Sequence, residues 1–377
     1  MKATESTGPS PPVLYVATGI AKGMTELPTG EGLLDAIPQD LVAQNTDEAQ
    51  TVAQQAETTI EASEHRETDD GYESDSASTA STSLSLSVRD YALEIGRRFN
   101  KFRAGQYQFP NDEPEQDRED MKHAMVVSLC GGNLHYAPLE NPQEILDLGT
   151  GTGIWAIDIG DEYPSASVLG IDLSPIQPVW VPPNVKFMVD DFESPWLHGR
   201  DRFDFIHARH TSVAVKNMPK LLAQAYESMK PGGWIEVQEM HHRAHCDDST
   251  MPEDYLVQEW LKFVAQGLAV LGPDLLGAVK NAQYLRDAGF VNIEERIFKI
   301  PIGTWPKNRT LKMVGFYGRT MIYDGLEGNS LGPFTRGLGW TSEEVQVFLV
   351  NVRKALMDSS VHSYLPFHVV FGQKPKK

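Results

Sequence analysis

Cysteine is scarce: two residues, Cys130 and Cys246, stand in a chain of 377. That is too few, and too isolated, for a disulfide framework or a cysteine-rich zinc site, and it fits a reducing intracellular compartment, cytoplasm or nucleus. Basic residues are also short, with 33 Lys and Arg against 52 Asp and Glu. Nonspecific nucleic-acid affinity rests on Lys and Arg neutralising phosphates, so a direct nucleic-acid substrate is disfavoured. No stretch approaches the ~20 consecutive apolar residues of a membrane span. The amino terminus, Met1-Lys-Ala-Thr-Glu5, lacks the layout of a secretory signal.

What the chain does have is unevenly placed. Residues 1–87 carry 15 Asp and Glu against three Lys and Arg, a balance of -12 out of the total of -19. They end in the serine-rich run Ser74 to Ser87. Such a segment buries too little apolar surface to offset its ordering entropy and is expected to be a disordered tail, solubilising or, through phosphorylated serines, regulatory. Residues 88–140 read as an N-terminal helical arm or lid, and residues 141–377 as the catalytic domain. Within the latter, short apolar runs at 144–148, 168–172, 185–189, 203–208 and 234–239 alternate with helical signals. That rhythm implies βαβ units and a mainly parallel sheet. Residues 254–271 and most of 307–364 have helical periodicity, and Phe367 to Phe371 reads as a closing antiparallel strand.

The first of these strands runs into Asp147-Leu-Gly-Thr-Gly-Thr-Gly153, and a helix follows. A glycine-rich turn there brings backbone close to a ligand and leaves helix amides pointing at it. Gly149, Gly151 and Gly153 alternate, whereas the dinucleotide fingerprint needs its third glycine one place later, where Ile154 stands. The spacing favours S-adenosylmethionine over NAD. Asp147 is a candidate for the amino group of the methionine moiety. Asp172, 19 residues beyond Gly153, is placed to accept from both ribose hydroxyls, with Leu173 against the adenine. Asp190, Asp191 and Phe192 after the third strand offer a carboxylate for the adenine amino group and a ring to stack on it.

Acceptor chemistry belongs at the carboxyl ends of the strands. After the fourth strand the chain reads Ile206-His-Ala-Arg-His210, so His207 and His210 are candidate bases and Arg209 a contact for an acidic group. Glu239, His241 and His242 form a second polar cluster after the fifth strand; adjacent histidines project differently, and no metal is expected. The Asn/Asp-Pro-Pro-aromatic signature of many N-methyltransferases is absent. Tyr107, Trp155, Trp180, Trp196 and Trp260 are candidates for apolar pocket walls.

Taken together, Glu94-Ile-Gly-Arg-Arg-Phe99, Phe109-Pro-Asn-Asp112 with Asp117-Arg118, Ile145 through Trp155, Ile171-Asp-Leu-Ser174 and Met229-Lys-Pro-Gly-Gly-Trp-Ile-Glu236 resemble the class I methyltransferases, and more narrowly the fungal LaeA-like group associated with secondary metabolism and development. The resemblance runs from about Tyr91 to Gln373. It implies a Rossmann-like α/β fold with a mainly parallel seven-stranded sheet, helices on both faces, an arm folded over the cofactor pocket and a helical insertion. It further implies S-adenosylmethionine as cofactor and methyl transfer to a small molecule, peptide or protein. The alternative it leaves open is a nuclear regulatory scaffold acting through velvet-type partner proteins.

Overall fold

The computed structural model describes residues 46–63 and 107–376, together with the short strands 13–15, 91–94 and 97–100. Its centre is a sheet of β4 (Glu144–Leu148), β5 (Ser167–Asp172), β6 (Val185–Val189), β7 (Phe203–Arg209), β8 (Met229–Met240), β9 (Val291–Pro301) and β10 (Tyr364–Gln373). The order is β6-β5-β4-β7-β8-β10-β9, with β10 antiparallel to both neighbours. These are the seven strands that the resemblance implied. An eighth, β1 (Val13–Tyr15), pairs antiparallel with β6 at the edge.

Side chains alternate across this sheet, as the two-residue period requires. Ile145 and Phe205 enter one core, while Leu146, Leu148, Ile206 and Ala208 enter the other. The second core is closed by α4 (Met218–Ser228) and α6 (Asn281–Asp287). The first is covered by α1 (Thr46–Glu57), α2 (Glu113–Leu129), α3 (Ile154–Glu162), α5 (Leu256–Leu271), α7 (Arg309–Leu331) and α8 (Ser342–Leu356). A capping box between Thr341 and Glu344 starts α8, one residue ahead of the start signal at Ser342.

Two expectations change. Within the span read as a disordered tail, residues 46–63 are ordered: α1 buries Val52, Ala53 and Ala56, Ile60 follows it into the same core, and Arg296 of β9 pairs with Glu57 at 2.6 Å. The acidic composition hid a four-residue apolar stripe. The rest of 1–87, apart from β1, lies outside the described residues. The arm is helical only from Glu113; before it, β2 (Tyr91–Glu94) and β3 (Arg97–Asn100) form a hairpin. The two strands pair antiparallel over four residues, from Tyr91 opposite Asn100 to Glu94 opposite Arg97, and these backbone bonds take the place of helical ones.

The arm is fixed by two motifs that the resemblance singled out. Arg97 donates to both carboxylate oxygens of Asp112 at 2.6 and 2.8 Å, holding that carboxyl below its usual range against the effect of burial. Arg98 donates to the side chain and carbonyl of Asn111 at 3.2 and 2.6 Å. Asp112 in turn caps α2 through the amide of Glu115.

Candidate functional site

Strand order reverses between β4 and β7, and a ligand cleft in a sheet of this kind lies at the carboxyl ends of the strands flanking that reversal. Here the glycine turn leaves β4 and the His207–His210 segment leaves β7, with Asp147 directly opposite His207 in the register. Gly149, Gly151 and Gly153 all have positive φ, at 68°, 57° and 87°. A Cβ on Gly153 would strike the Phe187 ring at 2.4 Å, whereas one on Gly151 would meet nothing within 4 Å. The middle glycine therefore faces open space, where backbone meets ligand.

That space is a cleft of about 1310 Å³, its mouth included, joined by a smaller cavity of about 420 Å³ behind the turn. Asp172 and Leu173 line the larger space, as does Phe192. Asp172 accepts from the amides of Gly151 at 2.9 Å and Ser174 at 2.8 Å, and burial pushes its carboxyl up to about 6 against those bonds. Asp190 and Asp191 line neither space. Asp190 accepts the amide of Asp191, and Asp191 accepts from Glu193 N at 3.0 Å and Ser194 Oγ at 2.9 Å. Both carboxylates thus bond within their own turn, leaving Phe192 as the member of that trio at the cleft.

Asp147 is buried and accepts from His207 Nδ1 at 2.8 Å. The His207 ring stacks on Trp155, 3.6 Å between centroids and 9° between planes, and burial lowers its pKa. It lines only the smaller cavity, so this candidate base sits behind the glycine turn as the orienting partner of Asp147. His210 borders both spaces. Its backbone is left-handed at φ 56°, its Nε2 has no partner, and burial holds its pKa well below 6.5. A non-glycine residue held in this region needs its surroundings to enforce it. Glu239 does so by accepting at one oxygen from Thr211 N, Thr211 Oγ1 and Ser212 N at 2.7 to 2.9 Å. Sequence reasoning placed Glu239 in a polar cluster; its carboxylate in fact anchors the turn after His210.

The far wall is apolar: Met240, Trp260, Leu261, Val264, Met321 and Leu365. His242 and Asn329 interrupt it, each with a buried unpartnered atom, and burial pushes the His242 pKa down to about 4. Among the expected aromatics, Tyr107 and Trp260 line the cleft, Trp155 backs the smaller cavity, Trp196 donates to Phe192 O at 2.7 Å, and Trp180 is 80% exposed. From the arm, α2 contributes a charged row of which the sequence motifs had named only Arg118: Glu115, Arg118 and Lys122, buried, and the half-buried Glu119, linked by ion pairs. Arm and core are joined across the cleft by Thr152 donating to Asp120 at 2.6 Å and Asn111 donating to Ser174 at 3.2 Å.

Comparison with known proteins matches residues 119–295 to a family described as a methyltransferase domain. Methyltransferase pytC of Aspergillus terreus is 41% identical over 296 residues, covering 78% of this chain and 91% of the relative. Secondary metabolism regulator LAE1 of Cochliobolus heterostrophus is 37% identical over 292 residues, covering 76% and 95%. The chain belongs to the LaeA-like methyltransferases. Another relative is named protein-methionine methyltransferase laeA, from Emericella nidulans, 34% identical over 285 residues, covering 75% and 76%. This LaeA-like chain is an S-adenosylmethionine-dependent methyltransferase of a group linked to fungal secondary metabolism. Its residues fit that cofactor: an open backbone at Gly151, a strand-end carboxylate at Asp172 and an aromatic at Phe192 surround one space. Among the described residues no helix is long and apolar enough to cross a membrane.

Proposed function

We propose that this methyltransferase acts on an uncharged, largely apolar acceptor, a small molecule or a peptide or protein side chain, held between the glycine turn and the α5–α7 wall. The observation that carries this reading is the continuity of one cleft from Asp172, past Gly149 and Gly151, to His210 among Trp260, Val264, Met321 and Leu365. When bound, S-adenosylmethionine supplies an electrophilic methyl on a sulfonium, and alignment accounts for much of such a displacement. Asp172 accepts the two ribose hydroxyls, Leu173 and Phe192 meet the adenine, and Asp147, oriented by His207, holds the methionine amino group. His210 and His242 are neutral, and an unpartnered Nε2 on His210 suits receipt of a proton from the acceptor.

The regulator names borne by relatives support a second reading of the same chain, in which the fold serves chiefly as a cofactor-responsive nuclear scaffold that controls secondary metabolism and development through a velvet-type partner. One experiment addresses both. Labelled S-adenosylmethionine is incubated with the purified protein and with fractionated small molecules and proteins of a fungal extract. A labelled small molecule or polypeptide, lost with Asp172→Ala, is expected. Label in no fraction, with cofactor binding intact and a velvet-type protein captured, would replace the first reading with the second.

A further inference from the structure

Arg209 has no role in the scheme above, yet it is the cation shared by the two spaces and lies on β7 beside the Asp147–His207 pair. Among the described residues no carboxylate lies within ion-pair distance of it. Its one hydrogen bond runs from Nη2 to His123 Nδ1 of α2, at 2.7 Å. Since a guanidinium only donates, that ring nitrogen must accept, and the ring proton sits on Nε2. Nε2 lies 2.8 Å from Asp158 Oδ2 on α3, a carboxylate that can only accept, so the tautomer is fixed from both ends. Burial and the neighbouring guanidinium lower the His123 pKa, in keeping with a neutral ring.

A half-buried guanidinium without a facing anion loses part of its hydration uncompensated, and Asp147, Glu119 and Asp158 favour its charge only from a distance. The smaller cavity that it borders is lined by Asp147, Gly149, Gly151, Trp155 and His207, which is the end of the site where the scheme above puts the methionine moiety. That moiety is a zwitterion, and the cavity offers an anion for its ammonium at Asp147 and a cation for its carboxylate.

We infer that Arg209 binds the α-carboxylate of the cofactor's methionine moiety, and that His123, held by Asp158, is the positioning residue that aims it. This rests on the cofactor assignment of the site. It also makes the arm part of the binding site: α2 supplies the acceptor that sets the guanidinium's direction.

The test measures affinity by titration calorimetry for S-adenosylmethionine and for decarboxylated S-adenosylmethionine, which keeps the sulfonium and ammonium. Charge-assisted hydrogen bonds predict that Arg209→Met weakens S-adenosylmethionine roughly 10- to 100-fold while changing the decarboxylated ligand less than about threefold. His123→Leu loses part of the same discrimination, and His123→Asn, whose amide oxygen can take the place of Nδ1, restores it. An unchanged ratio of the two affinities in Arg209→Met, or equal losses for both ligands, overturns the assignment. Wild-type protein that binds neither ligand overturns the cofactor reading itself, and this one with it.

Discussion

In the proposed binding scheme, Asp172 is the residue on which cofactor affinity turns most directly. Each of its oxygens already holds a backbone amide, so the side chain is fixed before any ligand arrives and keeps lone pairs for two ribose hydroxyls. Loss of both acceptors in Asp172→Ala should weaken cofactor binding roughly 100-fold, with Asp172→Asn between it and the wild type. The ionised form is the better acceptor, and burial places its titration near 6. Affinity should therefore be steady above pH 7 and fall as the pH drops through 6; an affinity flat from pH 5 to 8 would exclude Asp172 as the ribose ligand. At this scale the sequence was a partial guide. That Asp172, Gly149 and Gly151 border one cleft was legible because strand-end position and spacing constrain them. Asp191 was not, because a carboxylate that caps its own turn looks the same in sequence as one that meets a ligand. His207 is enclosed behind the glycine turn, a place that the register of β7 beside β4 decides, whereas His210 lies past the strand end and borders both spaces.

At the scale of elements, α2 and α1 were the hardest to read, for opposite reasons. The charges of α2 recur at helical spacing, which ordinarily marks a solvated face, yet Glu115, Arg118 and Lys122 are each under 9% exposed, Arg118 being paired with Glu115 and Glu119, and Lys122 with Glu119. The apolar stripe of α1 is too short to stand out in an acidic background. Its effect is nevertheless measurable. Val52, Ala53, Ala56 and Ile60 together bury apolar area of the order of 4 kcal/mol. A protein lacking residues 1–63 should melt several degrees lower than one lacking only 1–45. Equal melting temperatures would show that α1 does not hold to the core. The hairpin calls for a different measurement. Arg97→Ala frees Asp112 from its bidentate pair without touching the glycine turn, and should loosen Asn111 from Ser174 at the cleft. Cofactor affinity is expected to fall about fivefold, as for loss of a partly exposed charge-assisted pair. Undiminished affinity would limit the hairpin to a structural role.

For the whole molecule, the mainly parallel sheet was readable because strands alternating with helices form βαβ units, whose crossovers make neighbouring strands parallel. The buried electrostatics were not, since histidine looks the same in sequence whether solvated or enclosed. Burial lowers seven of the ten described histidines, His123, His198, His207, His210, His241, His242 and His245, with His198, His241 and His242 near 4. In the unfolded chain these groups titrate near 6.5. Between pH 6.5 and 4 the unfolded state thus binds more protons, and stability must fall as the pH falls across that window and level off above it. Asp172, raised to about 6, acts in the opposite sense, since the folded state binds its proton first. Burial raises Asp117, Asp120, Glu239 and Asp324 as well, and the seven lowered histidines outnumber these five carboxyls. The urea midpoint should accordingly be lower at pH 5 than at pH 7.5, and replacing His198, which borders neither cleft space, with Gln should reduce the difference without altering cofactor affinity. A midpoint that rises on acidification would mean that these imidazoles are open to water, and with them the neutral state assigned to His210 and His242 would fall.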